Sequence, residues 1–405
     1  MFSKVKVAAV SVFLRSLVSQ INFWSFFFLR VVSKRDRKAD GNTLLMTGTF
    51  YSDNWLATHL RPLGKAKSIR RIIMVASAKV PEIEGVDGAY PGKLLTWCLG
   101  STAARLVTFA RLALTKRPEY IGGFHLLLNG LVAMLLSTFT GAQSIYVCGG
   151  GPREIVGGGY QTENRLFGML EGPDIRLEQH LMRSVGLMNI IITMGREGAK
   201  FFRDHAKTSH IAILPGGLDP TVYYPAAVEP DIDVIAVGRL SRVKRMDRLL
   251  EAIAILDSRE RKIRVAIVGD GPLKGSLEKL ASDYNLAKNV TFVGWTEDVS
   301  KWLGRSKLFV MTSDSEGLSQ ALIQATLCGL PVVVSDVGDL KDIVTNGENG
   351  YLIDDLTPEN FAKKISLLLS DDDLRRRLGR NARIASEPYT IESAARQWDE
   401  ILAAD

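Results

Sequence analysis

Residues 308–339 read LFVMTSDSEGLSQALIQATLCGLPVVVSDVGD. The apolar run Leu308 to Thr312 gives way to a polar turn, a helical stretch spans about Leu318 to Leu327, and Gly329 with Pro331 ends it before the run Pro331 to Ser335. A strand, a helix and a second strand on short turns make a parallel pair with the helix lying across one face. An α/β sheet is therefore predicted.

The same alternation extends in both directions. Upstream, β-rich runs occur at Asp233 to Val237, Arg264 to Val268 and Val290 to Val293, and Gly350 to Ile353 follows. An earlier series runs through Thr43 to Met46, Ile72 to Ala76, Ser144 to Cys148, Ile190 to Met194 and Ile211 to Leu214. Two doubly wound, Rossmann-like domains are expected in succession. Between them PGGLDPTVYYPAAVEPD, 215–231, is dense in Pro and Gly and without helical period, so it reads as the link. The expected division is 1–40 as a basic amphipathic segment, 41–215 joined by a last helix at 390–405, and 216–389. In open sheets of this kind ligands sit beyond the carboxyl ends of the strands, so two such domains facing each other across a cleft would hold the chemistry in loops on that edge.

The 405 residues are 46% hydrophobic and 23% charged with 36 Gly and 14 Pro, which excludes a disordered, collagenous or disulfide-stapled chain. Cys98, Cys148 and Cys328 stand far apart, with no CxxC or Cys/His cluster, so neither a disulfide framework nor a zinc site is expected and a reducing compartment suits them. The net charge of +7 is confined to one end: residues 1–40 hold eight Lys or Arg against two Asp, and 41–80 hold six against one. That placement argues for an anionic membrane surface and against a nucleic-acid groove, which would spread its cations through the fold.

Residues 5–32, VKVAAVSVFLRSLVSQINFWSFFFLRVV, are long and apolar, yet Arg15, Gln20 and Asn22 interrupt them at a cost for a spanning helix. Lys4, Ser11, Arg15, Ser19 and Asn22 form one polar stripe at helical spacing, with Phe13, Leu14, Leu17, Ile21, Trp24 and Phe28 elsewhere. The expectation is an interfacial helix on the cytoplasmic face of the membrane, with Arg15, Trp24, Arg30, Lys34, Arg35, Arg37 and Lys38 as its membrane contacts. A core helix of the chain's own domain and a secretory signal are the rival readings, the second lacking a small-x-small cleavage site.

In the second domain, Gly238 ends a strand and Arg239 and Lys244 follow, expected in the first turns of a helix. Two cations beside a helix N-terminus suit a diphosphate, although a solvated helix start has the same composition. Glu316 stands where strand gives way to helix and could accept from sugar hydroxyls, while the amides of Gly317 and Leu318 could meet a phosphate. Gln324 falls two turns along the same helix, on nearly the same face. A helix-terminal carboxylate complementing the dipole is the plainer reading of Glu316.

The set VGRLSRVKRMDRLLEA, VGDGPLKGSLE, VTFVGWTEDV, SEGLSQALIQATLCGLPVVVSDVGDLKDIV and ENGYLI, in order and at natural spacing over roughly 209–356, resembles the second domain of the retaining glycosyltransferases of family 4, which have the GT-B fold. The family's E-x7-E pair falls on Glu316 and Gln324, where Gln replaces the second Glu and loses a charge-assisted bond to the donor ribose. Gly48 and Thr49 resemble the family's glycine loop near the donor phosphate. In RPEYIGGFHLLLNGLVAMLL, 117–136, His125 is the counterpart of a His that touches the transferred sugar. Val293 to Thr296, with Gly294, lie where the fold tends to hold the nucleotide base through backbone contacts. IYVCGGGPREIVGGGYQTEN, 145–164, reads as a mobile acceptor-side loop, and EPYTIESAARQWDEIL resembles the family's last helix, which crosses back onto the first domain.

The resemblance implies transfer of a sugar, with retention, from a UDP-sugar or GDP-sugar co-substrate to a hydroxyl, and the membrane segment makes a lipid-linked or glycan acceptor the expected partner. No cofactor and no metal are expected, since no DxD pair stands in these motifs; Arg239, Lys244 and the Gly317 and Leu318 amides would stabilise the leaving diphosphate. Other enzymes of the same architecture, and a non-catalytic sugar-nucleotide-binding or membrane scaffold protein, are the alternatives.

Overall fold

The computed structural model describes residues 2–31, 40–49, 53–160, 162, 164, 166–206, 210–257 and 262–403. The chain divides into two compact units, Met1–Gly217 with Ile391–Asp405, and Leu218–Thr390.

The first unit is built on β1 (Asp40–Thr47), β2 (Arg71–Val75), β3 (Val86–Ala89), β4 (Pro118–Phe124), β5 (Gln143–Cys148), β6 (Ile190–Thr193) and β7 (Ile211–Ile213). They form one sheet in the order β3-β2-β1-β4-β5-β6-β7, every pairing parallel. Strands β3 and β4 go beyond the five runs expected. Strand β4 is PEYIGGF, whose glycines dilute its apolar signal. They are needed there: a Cβ at Gly122 would come within 2.2 Å of Met46 Sδ, and one at Gly123 within 2.6 Å of the Asn129 carbonyl carbon. The last helix, Ile391–Ala403, packs on this unit through Lys65–Glu392 at 2.9 Å, Ser68 Oγ to Asp399 at 2.6 Å and the buried Trp398.

The second unit holds β8 (Ile232–Val237), β9 (Val265–Val268), β10 (Val290–Gly294), β11 (Ser306–Met311), β12 (Val332–Ser335) and β13 (Gly350–Ile353) in the order β10-β9-β8-β11-β12-β13, again parallel. All six expected runs are strands. Buried Val, Ile and Leu fill both faces of the sheet, as a parallel sheet covered by helices demands.

The N-terminal helix, Phe2–Val31, contains among the described residues the one stretch, Ala8–Leu29, long and apolar enough to cross a membrane by length and composition. It packs on the first unit through its polar stripe. Arg15 Nε donates to Asp174 Oδ2 at 2.8 Å, Ser11 donates to the same carboxylate, and Asn22 reaches the His180 carbonyl at 2.8 Å and accepts from Ser184 Oγ at 2.7 Å. Burial raises the Asp174 carboxyl, but the bonds from Arg15, Ser11 and the Leu177 amide hold it below the usual range. Leu14, Val18 and Ser25 are fully buried, whereas Val12, Phe13, Phe23, Trp24, Phe26, Phe27 and Leu29 are exposed. Arg15, expected at the membrane, is thus turned inward onto Asp174; Trp24 is outward. Arg30 lies in the helix, and Lys34, Arg35, Arg37 and Lys38 fall outside the described residues.

Candidate functional site

In the second unit the carboxyl ends of three neighbouring strands come together through glycines. Gly238 follows β8, Gly269 follows β9 and Gly294 ends β10; the Gly269 amide donates to Gly294 O at 2.8 Å, and a Cβ on Gly269 would lie 2.0 Å from Gly238 O. Side chains there would hold the strand ends apart, so the glycines let the backbones close on one spot.

Beside them, Lys244 Nζ lies 2.6 Å from Glu316 Oε1, and Ser313 Oγ donates to the same oxygen at 2.5 Å. Lys244 is partly and Glu316 largely withdrawn from water, with side chains 23% and 9% exposed. Neither stands where the helical reading put it. Arg239 and Lys244 precede the helix Met246–Asp257, Lys244 ending a short 3-10 turn at Arg242–Lys244. Glu316, Gly317 and Leu318 lie in the loop ahead of the helix Gln320–Leu327, whose N-cap is Ser319. Glu316 and Gln324 are therefore not two turns of one helix, and Gln324 Nε2 donates to Tyr223 OH at 3.0 Å. Arg239 is exposed just past β8.

A network absent from the motif reading clamps the two loops together. Arg248 Nη1 donates to Thr312 O at 2.6 Å and Nη2 to Asp314 at 2.7 Å; Arg245, with φ +47°, pairs with Asp247 and Asp314; and Thr312 Oγ1 donates to Arg245 O at 2.7 Å. The Asp314 amide closes on Val243 O at 2.9 Å. These bonds fix the register between the loop carrying Lys244 and the loop carrying Glu316. Arg and Asp in a loop or at a helix start read as ordinary surface charge in a sequence, so only their pairing and the burial of Arg248 distinguish them.

In the first unit the carboxyl ends of β1, β4 and β5 carry a second cluster. Buried Gly48 and exposed Thr49 follow β1. Arg105, 2% exposed, donates to Thr47 Oγ1 at 2.6 Å and Thr49 Oγ1 at 3.4 Å, and burial pulls its guanidinium down to about 10. His125 follows β4 with φ +63° and ψ 141°, its ring stacked on Trp55 at 5.7 Å and bonded through Nδ1 to Glu154 at 2.8 Å. Burial lowers the His125 imidazole, but the charge and hydrogen bond of Glu154 raise it, and the net shift is upward. His59, its ring tilted against Trp55 at 4.3 Å, is brought to about 3 by burial and then by the charge of His125. The 145–164 segment, expected as a mobile loop, is anchored: Glu154, Ile155 and Gly157 to Gly159 are buried, and Glu154 faces inward. Trp55, Arg105 and Glu154 are functional candidates that the motifs missed. Among the described residues no group of three or more His, Cys, Asp and Glu is placed to hold a metal ion.

Residues 225–385 match the family model described as Glycosyl transferases group 1. A Haemophilus influenzae protein named an uncharacterized glycosyltransferase is 27% identical over 216 residues, 52% of this chain and 60% of its own length. The poly(ribitol-phosphate) alpha-N-acetylglucosaminyltransferase of Staphylococcus aureus is 34% identical over 167 residues, 40% of this chain and 34% of its own. The chain thus spans less than two thirds of the length of these curated relatives. Anabaena HepE, solved in complex with UDP, superposes on 90% of this chain and 100% of its own at a TM-score of 0.69 and 17% identity, a likeness of fold. Residues 225–385 carry a Glycosyl transferases group 1 domain within a chain of GT-B fold.

Proposed function

We propose that this chain is a retaining glycosyltransferase of family 4, moving a sugar from a nucleoside diphosphate sugar, UDP- or GDP-linked, to a hydroxyl of a lipid-linked or polysaccharide-precursor acceptor at the cytoplasmic face of a membrane. The contact of Lys244 with Glu316 carries the reading, because it sets a cation suited to a diphosphate beside a carboxylate suited to sugar hydroxyls, inside the matched region. In this reading the acceptor oxygen bonds to the anomeric carbon on the face from which the diphosphate departs. The anomeric C–O bond breaks with its electron pair on the diphosphate, and the acceptor proton passes to a leaving phosphate oxygen. Lys244 and Arg239 meet the charge that develops there, aided by the Gly317 and Leu318 amides and without a metal ion. Glu316 orients the ring, Gly238, Gly294 and Gln324 line the nucleotide, and Gly48, Thr49 and His125 serve the sugar and its phosphate.

The membrane part rests on the outward aromatic face of Phe2–Val31, where Phe23, Trp24, Phe26 and Phe27 are 45–60% exposed. Contiguous exposed apolar surface of this kind suits an interfacial layer. The kinked helix Lys93–Lys116 adds exposed Leu94, Trp97 and Leu99, with Lys93, Arg111 and Lys116 and no acidic residue. The test is release of nucleoside diphosphate from a panel of UDP-, GDP- and ADP-sugars, with and without a membrane extract supplying acceptor. Release from one donor, stimulated by the extract, is expected; silence from every donor under both conditions overturns the reading.

A further inference from the structure

Glu154 is 3% exposed, in a glycine-rich turn that the transfer chemistry leaves unused. A carboxylate at that depth costs several kcal/mol unless its oxygens are filled and its charge is met. Both conditions hold. Oε1 accepts from the Gly150 amide at 2.6 Å and pairs with His125 Nδ1 at 2.8 Å, while Oε2 accepts from the Leu126 amide at 2.8 Å and Tyr146 OH at 2.9 Å. Four partners match the four lone-pair sites of one carboxylate. Three of them are neutral donors, so the imidazole is the partner able to bring positive charge.

The carboxylate also grips the chain where it is strained. His125 adopts φ +63°, a conformation that non-glycine residues rarely take and hold only when their surroundings enforce it. Glu154 bonds the ring of residue 125 and the amide of residue 126, one on each side of that turn. Trp55 stacks on the ring at an interplanar angle of 16°, and a Cβ on Gly149 would come within 2.9 Å of the imidazole Cε1, so the ring lies in a slot.

We propose that Glu154 is the positioning residue of His125, fixing the plane of its ring, the proton on Nδ1 and the charge it presents to the donor sugar. The proposal rests on the reading of His125 as a sugar contact. Among the described residues, the titratable and charged groups shown around the pair are Tyr146 and Cys148 on β5, His59 on the helix Asp53–Lys65, and Arg153 in the same turn as Glu154. Burial raises Tyr146 and Cys148 and lowers His59 to about 3, so these three stay neutral while His125 titrates. Glu154, raised by burial but lowered more by His125 and by the Leu126 and Gly150 amides, stays ionised.

The experiment follows the His125 ring by NMR in the full chain, its signals assigned from the His125→Gln variant. In the unsubstituted protein the ring is expected to titrate above 6.5 with its proton on Nδ1, and in Glu154→Gln below 6.5 with that proton signal lost. An unmoved titration overturns the proposal. Tyr146→Phe keeps the ion pair and removes one neutral donor from the carboxylate, which makes Glu154 more basic and is expected to raise the His125 titration; a fall or no change overturns it, and this variant serves where Glu154→Gln does not fold. On the donor found active, Glu154→Gln is expected to lower kcat at least about ten-fold with KM held within about two-fold. Combined with His125→Ala it is expected to add no further loss, since both act through one imidazole; losses that multiply overturn the proposal. Full turnover in His125→Ala overturns the sugar-contact reading and the role of Glu154 with it, whereas an unmoved titration removes the role of Glu154 alone.

Discussion

Lys244 and Glu316, 72 residues apart in sequence, meet at 2.6 Å because β8 and β11 are neighbours and the loops leaving them are tied together. A lysine that makes its strongest contact with one carboxylate is held at a defined point, whereas an unanchored lysine would lose about 2 kcal/mol of side-chain entropy on meeting a ligand. In the proposed reading the pair pre-positions a charge for the donor diphosphate.

The clamp behind this pair is separable from it. Arg248 is 6% exposed and bonds the Thr312 carbonyl and Asp314, so Arg248→Met leaves a buried carbonyl without its partner. A loss of about 2 kcal/mol is expected in denaturant unfolding, with turnover falling alongside because the loops no longer hold register. Unchanged stability would show that the clamp is dispensable.

Docking of the N-terminal helix should depend on Asp174. Asp174→Asn keeps an acceptor for the Leu177 amide, which Asp174 caps at 3.0 Å, and removes the charge opposite Arg15. Arg15 is a third exposed, so the loss is modest, about 1 kcal/mol. Proteolysis within residues 2–31 is expected to run several-fold faster than in the unsubstituted chain; equal rates would mean that the helix is held by other contacts.

Membrane association should follow the outward aromatic face. Phe23→Ser with Phe27→Ser removes two half-exposed rings without touching the stripe that faces Asp174. Partition onto anionic vesicles at low salt is expected to fall at least about ten-fold, since each ring contributes roughly 1.5–3 kcal/mol on burial. Undiminished pelleting would remove this face from the contact.

The two histidines beside Trp55 oppose each other in pH. His59 has its folded value pushed down to about 3, so below 6.5 the unfolded chain takes up a proton that the folded chain refuses, and stability falls as pH drops from 6.5 toward 3. The loss is on the order of 4 kcal/mol by pH 3.5. His125 is raised, so its contribution is complete below 6.5 and fades as pH climbs through its folded value. Replacing His59 by Gln is expected to flatten the acid limb of a stability-against-pH curve; an unaltered limb would mean that His59 protonates in the folded state.

Much of the second unit is legible in sequence, because a strand buried on both faces must be a short and largely apolar run: the inner strands β9, β8, β11 and β12 are so buried, and the partly buried edge strands β10 and β13 are short runs as well. In the first unit the central strand β4 escapes that rule, since Gly122 and Gly123 are set by close contact with Met46 and Asn129 and carry no hydrophobic signal. The polar stripe of the N-terminal helix is visible as a stripe, but periodicity does not say whether Arg15 faces water, lipid or an Asp174 far along the chain. Glu154 has the same difficulty: its meaning depends on His125, 29 residues away, and on a turn whose glycines suggest mobility until their burial is known. Lys244 and Glu316 stand out through the family resemblance of the motifs around them, while the Arg245, Arg248 and Asp314 clamp is visible only in the folded chain.

The most direct test compares nucleoside diphosphate release, under saturating donor, by the unsubstituted chain and by Lys244→Ala and Glu316→Gln. Release by the unsubstituted chain and a fall of about 100-fold or more in Lys244→Ala, with a clear fall in Glu316→Gln, is expected from loss of charge stabilisation at the departing diphosphate. Equal rates in all three proteins, with each folded, would mean that the chemistry lies elsewhere in the chain.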